Sequence, residues 1–168
     1  ITVGLAGTGK SALAAALAER IGAMVLSSDV IRKEIAGIPL SEHRFEDFQK
    51  GIYKKEFTQK TYEALFNKAR KLLRIGKDVI IDATFLYKSD RDRALEVAQE
   101  CDISMVILEC RAPEAVIKKR IKKRLRDGTV SDGRWEIFEN QKIYFEAVEE
   151  EPGVLHLIVN TTSAIPKL

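Results

Sequence analysis

Gly4-Leu5-Ala6-Gly7-Thr8-Gly9-Lys10-Ser11 has the spacing G-x-x-x-x-G-K-[ST], and the residues on either side give it a structural context. Ile1 to Val3 is a β-branched run that reads as the end of a strand. Leu13, Ala16, Leu17 and Ile21 share one face of a helix that Gly22 stops. A glycine-rich turn in that position can curl until successive backbone N–H groups point at phosphate oxygens, and the helix behind it adds its positive end. Gly7, Thr8 and Gly9 then form a nucleotide cradle, Lys10 reaches the β- and γ-phosphates, and the Ser11 hydroxyl ligates magnesium. Lys10 is expected to face solvent while the site is empty. A chance match in a chain of this length is expected roughly once in a few hundred sequences, and the correct flanks make it rarer.

Outward from this loop, apolar runs alternate with helical patterns to the end of the 168 residues, the signature of βαβ units around a parallel sheet. Further strands are expected at Ala23 to Leu26, Asp78 to Ile81, Ser104 to Leu108 and Val154 to Val159. Helices are expected from Asp29 to about Ala36, from Glu46 to Ile75, from Asp90 to Glu100, from Pro113 to Gly128 and from Arg134 to Glu150. Gly51 weakens the first turns of the second of these. The fold class is therefore α/β: a three-layer nucleotide-binding fold with a five-stranded parallel sheet, one domain over 1–168. The loop Thr129 to Gly133 and the arginines before it are expected to form a small helical lid over about 120–133.

Ligands in such a sheet bind beyond the carboxyl ends of the strands, and those ends carry polar residues. Asp29 and Arg32 form D-x-x-R on the opening turn of a helix, so carboxylate and guanidinium share a face. A phosphotransferase needs a carboxylate to accept a hydroxyl proton and a cation to hold an acidic group nearby. A helix-capping Asp with a surface Arg is the bland alternative. Asp82 ends the next run, where it could hold a magnesium-bound water or fix Arg32. Thr84 follows as a polar contact or a turn residue. Positions 118 to 126 read KKRIKKRLR, seven of nine cationic, and Arg120 and Arg124 fall on one face. A bound polyanion gives those two a purpose, Arg124 at the transferring phosphoryl group, while the lysines are expected on a solvated face.

Composition narrows the classes. With 45% apolar and 32% charged residues the chain is neither disordered nor low in complexity, and no run approaches a membrane span. A net charge of +3 does not by itself imply nucleic acid. Cys101 and Cys110 match no metal spacing and suit free thiols in the cytoplasm. The chain opens inside a strand at Ile1, so either a few residues are missing or this is one domain of a longer protein, with a fused or partner domain upstream. His43 and His156 are isolated, Trp135 suits core packing, and Glu149 to Glu151 suit a solvated helix end.

These residues resemble the kinase branch of P-loop proteins with an adenylate-kinase-like core, a branch that includes polynucleotide 5′-kinases, zeta toxins and gluconate kinases. The chain looks most like bacterial predicted kinases that are sometimes fused to an aminoglycoside-phosphotransferase-like domain. The resemblance rests on GLAGTGKS, SSDVIRKEI, VIIDATF, the arginine pair and SDGRWEIFENQ. It implies ATP and magnesium as the nucleotide and metal, Asp29 as general base, and Arg32 beside the attacked hydroxyl. It also implies Arg91 as an acceptor contact, Arg120 near adenine, Arg124 on the phosphates, and Asn160 to Thr162 lining the base. Phe85 stands where polynucleotide kinases usually have asparagine, and no aspartate ends the fourth strand, which finishes Glu109-Cys110.

Three functions compete. The first is an ATP-dependent kinase, its acceptor the hydroxyl of a small molecule or nucleotidic compound. The second is a polynucleotide 5′-hydroxyl kinase. The third is a regulatory P-loop ATPase module, which has no use for an acceptor-holding arginine three places after a base. A zeta-like toxin is a weaker fourth.

Overall fold

The computed structural model describes residues 1–42, 46–127 and 134–163. Its strands are β1 (Thr2–Val3), β2 (Met24–Ser27), β3 (Val79–Asp82), β4 (Val106–Arg111) and β5 (Leu155–Asn160). All pair in parallel, in the order β2-β3-β1-β4-β5. The helices are α1 (Lys10–Ile21), α2 (Ser28–Ala36), α3 (Lys55–Arg74), α4 (Lys88–Glu100), α5 (Glu114–Asp127) and α6 (Trp135–Tyr144), with a 3-10 turn at Gly51–Tyr53. Parallel pairing brings every strand's carboxyl end to one edge. Ser27 lies in register with Asp82, and Thr2 with both Asp82 and Leu108.

The main core fills one face of the sheet. Val3, Ile81 and Ile107 pack there against Ile31 of α2, the stripe Tyr62, Leu65, Phe66 and Ala69 of α3, and Ala94, Val97 and Ala98 of α4. That stripe recurs at three and four residues, so α3 buries one face and leaves its charged face to solvent. The contacts of α1 with β1, β2 and β3 complete the layering. A smaller cluster joins Ile117 and Ile121 of α5 to Phe138 of α6, with Trp135 packed against it. Trp135 stacks on Phe138 at 4.9 Å between ring centroids, which agrees with its reading as a packing residue.

Two helices are shorter than their sequence patterns. The long helix starts at Lys55, not Glu46. Gln49 and Gly51 both have positive φ, 58° and 53°, which an α-helix cannot contain. The last helix ends at Tyr144, not Glu150. Beyond it Glu146 N–H donates to Leu86 O at 3.0 Å, and Ala147 O accepts from Arg91 at 2.8 Å. Tertiary hydrogen bonds thus replace the helical ones over that segment. Glu151 is accordingly no solvated helix end; it pairs with Lys88 at 2.9 Å. β4 runs on to Arg111, beyond the expected Leu108. Gly128, the Thr129 to Gly133 part of the expected lid, and His43 lie outside the described residues.

Candidate active site

The glycine-rich loop joins β1 to α1 as its sequence requires. Gly7 has φ 79°, and a Cβ there would lie 2.8 Å from Ile117 Cγ2. At Gly9, φ 93°, a Cβ would lie 3.2 Å from Thr161 Oγ1 and 3.3 Å from Arg120 Nη1. Only glycine fits both positions, because the loop is folded left-handed and roofed by α5. Gly9 also caps α1 without any side-chain hydrogen bond, so the amides of the first turn keep the capacity to hold an anion.

Three groups brace this loop. Arg120 donates through Nη1 to Thr161 Oγ1 at 3.2 Å and through Nη2 to Thr161 O. The Thr161 hydroxyl in turn donates to Thr8 O, and Thr8 Oγ1 donates to Leu5 O at 2.8 Å. From the other side Gln141 of α6 accepts from Ala6 N–H at 2.7 Å. Gln141 was not singled out from sequence, although it ends the SDGRWEIFENQ segment that carried part of the resemblance.

Lys10 is half-buried in the cleft and does not extend into solvent: its ammonium group folds back to donate to Leu5 O at 2.9 Å, and burial pulls its pKa down while Asp82 and, more weakly, Asp29 hold it up. Arg124 faces the same carboxylates: burial lowers its pKa, and Asp29 opposes that most strongly. The basic helix divides as its sequence suggests. Arg120 and Arg124 are half-buried, whereas Lys118, Lys119, Lys122 and Lys123 are exposed.

A cleft of about 610 Å³ opens beside the loop and runs toward the β2–β3 side of the sheet. Gly7, Gly9, Lys10, Ser11, Asp29, Asp82, Thr84 and Arg124 line it. Asp82 is nearly buried at the end of β3, where Thr2 Oγ1 donates to it at 3.3 Å. Thr84 fastens the following turn to the loop by accepting from Gly4 N–H at 3.2 Å. Sequence reasoning missed the far wall, made by Glu46, Phe48, Tyr53, Tyr87, Asp90 and Glu146. All but Asp90, which lies in the first turn of α4, sit in connecting segments, where no periodicity marks a residue as facing a site.

Two of the expected acceptor contacts stand elsewhere. Arg32 is buried in the wall, donating through Nη1 to Ile52 O at 2.6 Å and to Thr58 Oγ1 at 3.2 Å, with its guanidinium over the Tyr53 ring. Its Nε has no hydrogen-bond partner among the described residues. Arg91 is also buried, its two terminal nitrogens donating to Phe85 O at 3.0 Å and Ala147 O at 2.8 Å. Neither lines the cleft. Both give charged donors to backbone carbonyls of irregular segments, at Ile52, Phe85 and Ala147. Phe85 is fully buried with φ 48°, and its N–H donates to the Tyr62 hydroxyl at 3.0 Å. Phe85 thus packs in the core beside Tyr62 and Phe66.

Thr8, Arg120 and Thr161 stand behind the loop, on the β4–β5 side, and Asn160 is exposed beside them, accepting from Thr162 N–H at 2.9 Å. Glu109 faces away from the cleft, paired with Arg111 at 2.5 Å and His156 at 3.0 Å. Cys110 is a buried free thiol, its pKa pushed up to about 11 by burial.

The family model described as "AAA domain" matches residues 1–148, and the chain belongs to that family. An uncharacterized protein of Mycobacterium tuberculosis is 35% identical over 133 residues, 78% of this chain and 26% of that protein. The chain thus spans about a quarter of the length of the curated relatives it matches. A solved sugar kinase of Janibacter sp. aligns with a TM-score of 0.65 at 24% identity, over 95% of this chain and 82% of that one. The APS kinase of Mycobacterium tuberculosis, solved with AMPPNP and APS, aligns with a TM-score of 0.65 at 20% identity, over 94% of this chain and 85% of that one. The fold is that of P-loop kinases.

Proposed function

We propose that this chain is an ATP-dependent kinase that transfers the γ-phosphoryl group to a hydroxyl of a small-molecule or nucleotidic acceptor, as a cytoplasmic domain of a longer polypeptide. The observation that carries the proposal is the meeting of Lys10, Arg124, Asp29 and Asp82 in one cleft at the glycine loop. Two cations suit a transferring phosphoryl group, and a carboxylate across from them suits the proton of the attacking hydroxyl.

In the proposed step the acceptor oxygen forms a bond to the γ-phosphorus while the bond from that phosphorus to the β,γ-bridging oxygen breaks. ADP leaves, and the hydroxyl proton passes to the Asp29 carboxylate. Lys10 and Arg124 hold the phosphoryl oxygens, and the loop amides from Gly7 to Ser11 hold the phosphates behind it. Arg120, Thr161 and Asn160 form the nucleoside end. Thr84 stays a proposed acceptor contact, whereas Arg32 and Arg91 act by building the wall. The donor set fits magnesium: a Ser11 hydroxyl at the start of α1 faces the same cleft as Asp29 and Asp82. A magnesium ion held there would neutralise phosphate charge and orient the leaving group.

The size of the space beyond the loop favours a kinase over a regulatory ATPase, which needs room for water alone. A polynucleotide 5′-kinase is the second reading, and Arg32 weighs against it, because its guanidinium is engaged inside the wall. Lys10→Ala tests the proposal. It should abolish ATP turnover and leave the fold cooperative, since among the described residues the lysine makes one hydrogen bond, to Leu5 O. Undiminished turnover would end the kinase assignment.

A further inference from the structure

The arm of the cleft away from the glycine loop has a charge and a surface that restrict its occupant. Three carboxylates line it, Glu46, Asp90 and Glu146. Glu46 accepts from Ile52 N–H at 2.5 Å, and Glu146 accepts from Lys88 N–H at the start of α4. Each keeps a second oxygen, and the Asp90 carboxylate accepts no hydrogen bond among the described residues, the nearby Lys88 ammonium group pairing with Asp92 and Glu151. The Asp90 pKa is raised by burial, Arg93 and Arg91 oppose that, and the neighbouring Glu146 carboxylate adds to the rise. No three such groups stand close enough to hold a metal ion among the described residues. The cation lining this arm is Lys55, exposed at the start of α3. The two arginines that could have met an acidic acceptor, Arg32 and Arg91, donate to protein oxygens inside the wall.

The remaining surface is aromatic and hydroxylated. The rings of Phe48, Tyr53 and Tyr87 line this arm, with Arg32 over one face of Tyr53 and Tyr144 stacked on one face of Phe48, and Gln49 donates to the Tyr87 hydroxyl at 3.1 Å. Ring faces pack on the C–H face of a saturated ring, and the amide and hydroxyl groups around them pair with ring hydroxyls. A surplus of carboxylates in a low-dielectric cleft attracts a cation and repels phosphate or carboxylate.

Resting on the phosphotransfer reading above, we propose that the acceptor is a polyhydroxylated ring compound bearing an amino group, an amino sugar or a close analogue, and that acceptors carrying phosphate or carboxylate are excluded. The ring would lie against Tyr53 and Tyr87, with its ammonium group toward Asp90 and Glu146 and the reacting hydroxyl toward Asp29. The reaction balances as stated above, the ammonium group taking no part in it.

Three matched sets of probes separate the outcomes: glucosamine and related amino sugars, the corresponding neutral sugars, and the corresponding sugar phosphates. ADP release from ATP and magnesium is measured with each, alongside direct titration of ATP. Amino sugars should accelerate release most, and the advantage over neutral sugars should shrink as salt is raised. Asp90→Asn should raise KM for the amino sugar about tenfold and leave KM for its neutral counterpart and for ATP unchanged. Acceleration by sugar phosphates, or an equal effect of the substitution on amino and neutral sugars, overturns the proposal and leaves the kinase reading standing. No acceleration by any set while ATP still binds also overturns the proposal alone. Failure to bind ATP overturns the reading beneath it.

Discussion

Lys10, Arg32 and Arg91 carry the same kind of charge, and the fold uses each differently. Lys10 lines the cleft and donates to a loop carbonyl. Arg32 and Arg91 are cations whose sequence context predicted an acidic ligand and whose partners are backbone carbonyls. The difference was not legible in sequence, because the carbonyls they serve belong to irregular segments at Ile52, Phe85 and Ala147. Arg91→Ala should therefore cost about 3 kcal/mol, since it removes two charged donors and strands two carbonyls. Denaturant unfolding reads the loss, and KM for any acceptor should change little in the fraction that stays folded. A large rise in KM at undiminished stability would restore Arg91 to the site. Asp90 gives a second test at this scale. Burial raises its carboxyl above the ordinary 3.8, so the folded state holds that proton more firmly than the unfolded chain does. Its contribution to stability is full below the ordinary value and is lost as pH rises through the folded one. Asp90→Asn, which cannot ionise, should match the wild type at low pH and melt higher than it at pH 7. A lower melting point at pH 7 would mean that the protein itself supplies the carboxylate with a partner.

Elements were legible where one periodicity ruled them. α1, α2 and α4 and all five strands lie close to where their patterns put them, because each of these helices packs along the sheet and each strand is a short apolar run. The two helices that were overestimated share a cause: their ends leave the helical path to make wall and loop contacts that no local pattern encodes. The basic helix α5 is the element on which the cradle depends. Ile117 and Ile121 lie over Gly7, and they set Arg120 and Arg124 toward the loop. Ile121→Ala should cost about 2–5 kcal/mol from the cavity left in that small cluster. It should also weaken ATP binding, because the roof over Gly7 loosens. Calorimetric titration and thermal melting separate the two effects, and unaltered ATP affinity in a destabilised variant would make α5 a packing element with no share in the cradle.

At the scale of the whole molecule, the order β2-β3-β1-β4-β5 divides the site. The glycine loop stands at the centre of the sheet, Arg120 and Thr161 lie toward β4 and β5, and Asp29, Asp82 and the acceptor arm lie toward β2 and β3. The half of the site built on the loop and strand ends could be read in the sequence, because the chemistry and the topology coincide there. The far arm of the cleft could not, because Phe48 and Tyr53 come from the α2–α3 connection, Tyr87 from the β3–α4 connection and Asp90 from the first turn of α4. Asp29 is the carboxylate proposed to take the acceptor proton, and one measurement addresses that role directly. Phosphoryl transfer by Asp29→Asn is compared with the wild type at saturating ATP, with nucleotide affinity and melting temperature measured on the same samples. Nucleotide affinity and fold should persist while transfer falls by about 10²- to 10⁴-fold. Undiminished transfer per folded molecule, with a less stable α2, would make Asp29 a helix-capping residue and contradict the account.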